Sequence, residues 1–359
     1  MSQPKSTPLY QEHVDLKARI VDFAGFLMPV QYTSIMAEAK AVREDAGMFD
    51  VSHMARLKFT GARTLEYLEW VTSNDVASLS DGVGQYSLLP NAKGGTVDDI
   101  IVTRLGQEVF RMVVNAGCHA KDITHLVEQN TFGVTMEDQT EDTVMIAVQG
   151  PKAVEKLIPL CEGPSLSDRP LFGFWEGKVA GIDCFATRGG YTGEDGYEFV
   201  CAKERGPELW KAFLAAGVTP CGLGSRDTLR VEAGLPLYGH ELTEDMSPLC
   251  AGLGWVISKT KTHLGSDHMA RVRAEGVPLK LQGLKFSGKR LATPESSVWQ
   301  HESLAGHVSS GVVSPMLECG LAFAFLKPEI RIGQEVEVAM RSGSKEPVQV
   351  VSKRFLKKA

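Results

Sequence analysis

Long apolar runs and an excess of basic charge are both missing from the sequence. No run approaches the ~20 apolar residues of a membrane-spanning helix, and residues 1–23 carry polar and acidic side chains where a signal peptide needs an apolar stretch. Lysine and arginine number 38 against 44 acidic residues, a formal net charge of −6, whereas a sequence-independent grip on nucleic acid needs a basic face. The sequence therefore predicts a soluble cytoplasmic protein without a membrane or nucleic-acid partner.

Clustered cysteines and histidines are also missing. The seven cysteines include no C-x-x-C pair and are odd in number, which is unlike the disulfide framework of a small secreted protein and predicts reduced thiols. The nine histidines show no H-E-x-x-H motif or other tight ligand spacing. We therefore expect no metal centre.

The signatures of nucleotide binding and of serine hydrolysis are missing too. Residues 222–227, GLGSRD, lack the third glycine of the dinucleotide-binding motif, and no G-x-x-x-x-G-K-[ST] or G-x-S-x-G motif occurs. What remains is a chain of 359 residues, 43% hydrophobic and 23% charged. That length and composition are typical of a globular protein with two or three domains.

Helical and strand patterns follow one another without a regular βαβ rhythm, which predicts the α+β class. Apolar spacing predicts a helix from residue 36 to Gly47, and a second helix over 222–234 that Ser225 caps and Gly234 ends. From about residue 280 the chain shows short strand patterns punctuated by glycine and proline. This last region indicates a separate β domain.

Two adjacent acids, Asp98 and Asp99, stand at the start of a strand that is predicted to form a hairpin with the next one. Since strand side chains change face at every residue, at most one of the two enters a given pocket. A two-residue turn at Gly106 and Gln107 places Asp98 opposite Asn115, and a three-residue turn places Asp99 there. The pattern leaves two interpretations open: a strand end that meets solvent, or a carboxylate held beside a developing positive charge.

A glycine-rich hairpin over 189–199, GGYTGEDGYEF, carries acids and two tyrosines. Tyrosine rings offer stacking faces and carboxylates accept paired N–H bonds, so this composition suits a flat polar heterocycle. A surface hairpin whose glycines set the turn gives the same pattern. In the helix that follows, Arg226 and Arg230 share a face, where they either contact substrate or pair with acids at a domain boundary.

Nine short blocks occur in one order between residue 8 and about residue 317. They are DFAGFLMPVQY, AVREDAGMFDVSHM, GGTVDDIIV, FRMVVNAG, IAVQGP, GYTGEDGYE, CGLGSRDTLRVEAGLPLYGHEL, SPLCAGLGW and VSSGVVSPML. Together they resemble the aminomethyltransferases of the glycine cleavage system, the T-protein family. One such block is a weak motif, whereas nine in order make the resemblance specific.

The resemblance implies a three-domain cloverleaf that binds folate. Its first domain is discontinuous, over 1–54 and 140–279. An α+β domain over 55–139 is inserted into the first, and a C-terminal β barrel or jelly roll covers 280–359. The implied α+β class agrees with the class predicted from the residue patterns.

The resemblance also implies an activity and a site. T-proteins transfer the one-carbon unit from the aminomethyl-lipoyl arm of the H-protein to tetrahydrofolate, giving 5,10-methylenetetrahydrofolate, ammonia and dihydrolipoyl H-protein. Tetrahydrofolate and lipoylated H-protein are therefore the implied substrate and partner, with no metal and no nucleotide. The implied catalytic residue is Asp98. The implied substrate-binding residues are Glu198, Arg226, Tyr86, Asn115, Tyr191 and Met54.

Two other functions are compatible with a fold of this kind. A folate enzyme with another one-carbon donor, such as a sulfonium demethylase or a sarcosine or dimethylglycine module, differs in its donor, and the latter modules carry a fused flavin domain. A folate-binding accessory protein of iron-sulfur assembly carries a Lys-Gly-Cys-Tyr type signature, where this chain has Gly189, Gly190 and Tyr191. The segment 262–307 follows the family pattern loosely. The basic tail with Lys353, Arg354, Lys357 and Lys358 is either a solvated chain end or a docking site for an acidic partner.

Overall fold

Short strands and short amphipathic helices make up the computed structural model of the protein, which describes residues 3–356. The strands are, in chain order, β1 (Lys5–Ser6), β2 (Arg19–Phe23), β3 (Phe26–Gln31), β4 (Gly47–Asp50), β5 (Ala55–Thr60), β6 (Val83–Pro90), β7 (Thr96–Gly106), β8 (Val109–Val114), β9 (Thr135–Asp138), β10 (Thr143–Gln149), β11 (Cys161–Glu162), β12 (Phe174–Val179), β13 (Ile182–Arg188), β14 (Gly196–Ala202), β15 (Thr219–Pro220), β16 (Lys280–Lys285), β17 (Ser297–Gln300), β18 (Ser303–Val313), β19 (Gly320–Leu326), β20 (Glu335–Ala339) and β21 (Lys345–Val351). The α-helices are α1 (Tyr10–Asp15), α2 (Ile35–Glu44), α3 (Thr64–Val71), α4 (His119–Gln129), α5 (Ala153–Leu157), α6 (Gly206–Ala215), α7 (Leu223–Ala233) and α8 (Ser266–Glu275).

The chain enters, leaves and re-enters one seven-stranded sheet, whose strand order is β11-β12-β13-β14-β10-β4-β15. In this sheet β4, which ends at Asp50, pairs antiparallel with β10, which begins at Thr143. The strands between them form a separate five-stranded sheet with the order β6-β7-β8-β5-β9. One unit is thus inserted into another, and on that basis we propose the domain division expected from the sequence.

The two faces of the seven-stranded sheet serve different cores. On one face, Tyr197 and Phe199 of β14 pack with Trp210 of α6 in a fully buried cluster. On the other face, Val200 packs in a cluster with residues of α2 and α7. Burying each large apolar side chain contributes ~1.5–3 kcal/mol. This packing fixes the position of β14. Glu198 of β14 lies on the Val200 face because side chains alternate along a strand.

The C-terminal region closes into a barrel with the strand order β16-β19-β18-β17-β20-β21. All residues of β19 are buried because its two faces serve two cores. Ala322 and Ala324 belong to the barrel interior, whereas Phe323 and Phe325 pack against the rest of the protein beside Val231 of α7. The α+β class and the C-terminal β domain predicted from the sequence are both confirmed.

Two details of the helix predictions are wrong for reasons of tertiary packing. The first predicted helix ends at Glu44, and Gly47 begins β4 instead. A Cβ on Gly47 would lie 2.5 Å from a methyl group of Val42, so the glycine allows close packing and does not end a helix. Helix α7 starts after Gly222, and the Ser225 hydroxyl donates to the Gly222 carbonyl instead of capping the helix. The predicted end of α7 is confirmed, since the residue that follows Ala233 is a glycine with φ 83°.

A buried ion pair joins α7 to the barrel. Arg230 donates to Glu241 at 2.8 Å, and both side chains are almost fully buried. The Arg230 guanidinium also donates to the Ser310 hydroxyl at 2.7 Å, and the Ser309 and Ser310 hydroxyls donate to Glu241. Of the two arginines predicted to share a face, Arg230 therefore pairs with an acid at a domain boundary.

Removing one partner of this pair is expected to destabilise the fold. Glu241→Leu leaves the Arg230 charge buried without its counter-ion, which should lower the free energy of unfolding by ~3–5 kcal/mol. The matched control is Asp227→Leu, since Asp227 contacts the same arginine at 2.8 Å but is 48% exposed; its loss should cost less than ~1 kcal/mol. Urea unfolding of both variants measures the difference, and equal losses would contradict this role of the pair.

The described part of the C-terminal tail is anchored to the protein. The Phe355 ring stacks on Phe323, and the Lys353 ammonium donates to the Ala251 carbonyl at 2.6 Å. Lys353 is thus already engaged, while Lys357 and Lys358 lie outside the described residues, so docking by the basic tail stays a prediction. Between residues 3 and 356 no helix has the length and apolar character needed to cross a membrane.

Candidate active site

The two adjacent acids of β7 point to opposite faces of the five-stranded sheet. Asp98 is fully buried on the same face as Ile100 and Val102, which belong to the core of the inserted unit. Asp99 is partly buried on the other face. The alternation expected from the sequence holds, and only Asp99 points away from this core.

The hairpin register is set by a bulge that the sequence pattern does not reveal. Gly106 pairs with Val109 across a two-residue loop, and the register shifts between Gly106 and Arg104. Because of this shift Ile101 pairs with Val113, which places Asp99 across from Asn115. The register is therefore the one expected for the longer turn, reached through a bulge.

Asn115 connects the two acids. Its backbone N–H donates to one Asp98 oxygen at 2.8 Å, and its side-chain amide donates to the other Asp98 oxygen and to Asp99, both at 2.9 Å. The Tyr86 hydroxyl of β6 donates to the second Asp99 oxygen at 3.0 Å. Two donors thus hold the Asp99 carboxylate in one orientation.

The surroundings of Asp99 make its negative charge costly. Burial raises the pKa of Asp99, and the negative charge of Asp98 raises it further, while the hydrogen bonds from Tyr86 and Asn115 oppose the rise. Burial and the Asp99 charge also raise the pKa of Tyr86 well above its ordinary value. A carboxylate of this kind interacts strongly with a positive charge that comes close to it.

An acid and an arginine from the first unit form the second half of the site. Glu198 of β14 and Arg226 of α7 form an ion pair with a 3.6 Å separation, and their side chains are only 16% and 12% exposed. Burial raises the pKa of Glu198, and the positive charge of Arg226 opposes that rise. Arg226 Nη1 is buried and finds no hydrogen-bond partner in the described part of the chain. An unpaired buried donor is costly, so this N–H group is available to an incoming acceptor.

Tyr191 lies between the two halves. The Arg226 guanidinium lies 5.4 Å from the centre of the Tyr191 ring, and the Tyr191 hydroxyl donates to the Pro236 carbonyl. Burial raises the pKa of Tyr191, and the negative charge of Asp99 contributes to that rise. Ile101, on the Asp99 face of β7, and Glu198 line one small cavity of about 30 Å³ between the two sheets. The Asp99 and Glu198 faces therefore look toward each other.

The structure brings together most, but not all, of the residues predicted for the site. The contacts described above join Asp99 to Tyr86 and Asn115. They also join Arg226 to Glu198 and Tyr191. Met54 is half-buried and packs against a neighbouring cluster that includes Phe49, over which Arg226 also lies. Asp98 points into the core on the far side of β7, and its hydrogen bond from Asn115 connects it to the site.

The other polar residues of the glycine-rich hairpin have structural roles. Glu194 accepts from Arg43 at 2.6 Å, Asp195 pairs with Arg188 at 2.7 Å, and Tyr197 is buried in the core. Only Tyr191 and Glu198 turn toward the site, because the remaining acids pair with arginines of neighbouring elements. The hairpin thus combines both interpretations that the sequence left open.

One aromatic residue of the site was missed by sequence reasoning. Trp255 is 68% exposed, and its ring stacks on Tyr86 with 5.9 Å between ring centres. It ends the block SPLCAGLGW, which carried the resemblance but assigned it no role. A wider open depression of about 630 Å³, lined by Asp142, Glu176 and Lys178 among others, contains none of the predicted site residues.

These side chains suit a flat, polar, partly cationic ligand. Glu198 offers acceptors for paired N–H groups, Arg226 offers a free donor, and Tyr86 and Trp255 offer aromatic surface. Asp99 adds a fixed negative charge beside them, where it stabilises positive charge that develops during a reaction. The arrangement combines recognition of a heterocycle with electrostatic catalysis.

Comparison with known proteins agrees with this geometry. Residues 9–261 match the GCVT N-terminal domain and residues 280–357 match the glycine cleavage T-protein C-terminal barrel domain. The aminomethyltransferase of Thermus thermophilus is 44% identical over 343 residues, covering 94% of this chain and 96% of that protein, and that of Halalkalibacterium halodurans is 40% identical over 348 residues, covering 95% of each. The crystal structure of glycine cleavage system aminomethyltransferase T from Bartonella henselae aligns with a TM-score of 0.92 and 31% identity, covering 99% of this chain and 98% of that one. The chain belongs to the glycine cleavage T-protein family.

Proposed function

We propose that the protein is the tetrahydrofolate-dependent aminomethyltransferase of a glycine cleavage system. It transfers a one-carbon unit from the aminomethyl-lipoyl arm of an H-protein to tetrahydrofolate. The observation that carries this proposal is a partly buried site in which Tyr191 lies beside Arg226 of the Glu198–Arg226 pair and within reach of the charge of Asp99. Family membership adds the reaction, since its relatives are aminomethyltransferases.

The contacts support a definite placement of tetrahydrofolate. The N–H groups of the pterin edge face the Glu198 carboxylate, which accepts two parallel hydrogen bonds. The unpaired Nη1 of Arg226 donates to the pterin carbonyl and so satisfies a buried group that lacks a partner. Tyr86 and Trp255, which stack on each other, provide apolar surface beside the ring system. This placement turns the folate amines toward Asp99.

The chemistry then needs a fixed negative charge. When ammonia leaves the S–CH2–N unit, the C–N bond breaks and positive charge develops on the carbon, which is still bonded to sulfur (a thionium-like S=CH2+ unit). N5 and N10 of tetrahydrofolate then form the two new C–N bonds as the C–S bond breaks, and the protons of the two amines leave with ammonia and with the lipoyl sulfur. An ionised Asp99, held by Asn115 and Tyr86, stabilises that charge and orients the folate amines.

We assign the catalytic charge to Asp99 and not to Asp98, the residue expected from the resemblance. Asp98 is fully buried and its two oxygens already accept two hydrogen bonds from Asn115. Asp99 lies on the face of β7 that looks toward Glu198, and its charge acts on Tyr191. The lipoylated H-protein as partner, tetrahydrofolate as the one-carbon acceptor and a cytoplasmic location complete the proposal.

The pH dependence of the reaction follows from the raised pKa of Asp99. Catalysis needs the ionised form, so kcat/KM should be full above the raised pKa and should fall as the pH drops through it. The acid limb should therefore lie well above pH ~4, the ordinary range of an aspartate. In Asp98→Asn the limb should move to lower pH, because one of the charges that raise the pKa of Asp99 is gone. An acid limb that moves to higher pH in this variant would contradict the assignment.

A reconstituted assay tests the function itself. The protein is mixed with aminomethylated H-protein and tetrahydrofolate, and 5,10-methylenetetrahydrofolate and ammonia are measured together. We expect both products in equal amounts, with no product when tetrahydrofolate is replaced by folic acid, whose N5 carries no hydrogen. Turnover of another one-carbon donor but not of aminomethylated H-protein would overturn the proposed function.

A further inference from the structure

A third acid lies behind the active site. Asp122, in the first turn of α4, is fully buried. One oxygen of Asp122, one oxygen of Asp98 and the Cys118 sulfur all lie within 4.8 Å of one another. Neither oxygen of Asp122 accepts a hydrogen bond from an N–H or O–H group of the described residues. A buried ionised carboxylate without donors would be very costly, so the charge state of Asp122 needs an explanation.

We propose that Asp122 is a neutral carboxylic acid that donates a hydrogen bond to Asp98, and that this pair positions Asn115 against Asp99. The inference deepens the proposed function and rests on it. Asp122 and Asp98 do not touch substrate in this scheme, so both are positioning residues.

The distribution of donors decides which acid holds the proton. Two carboxyl groups this close cannot both ionise in a buried site, so they share one proton. Asp98 accepts two hydrogen bonds from Asn115, and these donors oppose the rise that burial causes in its pKa. At Asp122 burial and the negative charges of Asp98 and Asp99 raise the pKa, and only the positive charge of Lys121 opposes the rise. The proton therefore resides on Asp122.

A shared proton explains the cluster better than a bound cation. Burial and the charge of Asp98 raise the pKa of Cys118 far above its ordinary value, so without a metal ion the group is a neutral thiol that can donate to Asp98. Asp98 then accepts from Asn115 twice, from Asp122 and from the thiol, which fills the lone pairs of a carboxylate. No acceptor site on Asp98 is left for substrate.

The charge state of Asp98 affects Asp99 through the side-chain amide of Asn115. The two side-chain N–H bonds of Asn115 go to Asp98 and Asp99 respectively. As long as Asp98 stays ionised, it fixes the amide with its N–H groups toward both acids. Loss of the Asp122 donor would raise the pKa of Asp98, and protonation of Asp98 would free the amide to rotate away. Asp99 would then lose one of its two orienting donors.

Two substitutions at Asp122 separate this role from a merely structural one. Asp122→Leu removes the donor, and we expect kcat to fall by up to about tenfold, no more than the loss in Asp98→Asn because Asp122 acts through Asp98, with KM for tetrahydrofolate within about threefold. Asp122→Asn keeps a neutral donor of the same shape and should restore most of that turnover. If Asp122→Asn is as damaging as Asp122→Leu, the neutral-donor role is wrong.

Infrared spectroscopy tests the proton without any turnover. The difference spectrum between the unmodified protein and Asp122→Asn, at neutral pH, should contain the carbonyl stretch of a protonated carboxylic acid. Absence of that band, or a stoichiometric metal ion that is lost in Asp122→Asn, would overturn the inference. An unmodified protein that shows the band but cannot use aminomethylated H-protein would contradict the proposed function and leave the acid pair intact.

Discussion

Asp99→Asn is expected to lower kcat for aminomethyl transfer by about 100- to 1,000-fold, the usual effect of removing one electrostatic stabiliser from an active site. The amide keeps the shape of the side chain and an acceptor for Tyr86 or Asn115. It loses the negative charge that stabilises the positive charge developing on the carbon. The loss should therefore appear in kcat, while the dissociation constant of tetrahydrofolate, measured by calorimetry, should change by less than about threefold.

The neighbouring acid provides the control. Asp98→Asn changes a residue of the same type one position away, on the opposite face of β7. We expect it to weaken the hold on Asn115 and to cost on the order of tenfold in kcat, comparable to one lost hydrogen bond. A larger loss in Asp98→Asn than in Asp99→Asn would show that the catalytic charge lies on the core-facing residue.

Glu198→Gln should have its effect on binding. If both oxygens of Glu198 accept N–H groups of the pterin, the glutamine places a donor against a donor and removes the charge of the acceptor. Tetrahydrofolate binding should weaken by ~2–4 kcal/mol, which corresponds to roughly 30- to 1,000-fold in the dissociation constant. At saturating folate, kcat should be affected much less, because Asp99 is unchanged.

The same hairpin offers a matched variant. Glu194→Gln alters an acid four residues away that is paired with Arg43 and lies outside the site. It should leave folate affinity within about twofold, since a loss of ion pairing there acts on stability and not on the ligand. Equal folate affinities of the Glu194→Gln and Glu198→Gln variants would mean that the hairpin has only a structural role.

Local patterns were enough to predict much of the fold. The end of α7 at Gly234 follows from a glycine with positive φ, and the C-terminal β domain follows from strand patterns between turn residues, whereas its closure into a barrel was implied by the family resemblance. Gly47 was misplaced because its role depends on the close approach of Val42, which is tertiary. A glycine that ends a helix and a glycine that begins the next strand look the same in the local sequence, since both follow an apolar helical stretch.

The candidate site shows the same division between local and tertiary information. Alternation along β7 predicts that Asp98 and Asp99 separate, but which face is covered depends on where α4 packs. The hairpin register depends on a bulge near Leu105, and no turn residue in the sequence predicts that bulge. Asp122 carries no signal in the sequence, since an acid in the first turn of a helix is common. Its role appears only once Asp98 is seen beside it.

A crystal structure of the protein with tetrahydrofolate bound is the most direct test of the assignment of the active site. We predict that the pterin amino edge lies against Glu198, that Arg226 donates to the pterin carbonyl, and that N5 and N10 face Asp99 with Asp98 out of contact. Folate bound in the open depression beside Lys178, or a pterin that contacts Asp98 instead of Asp99, would contradict the central claim that the Asp99 face of β7 and the Glu198 face of β14 together form the active site.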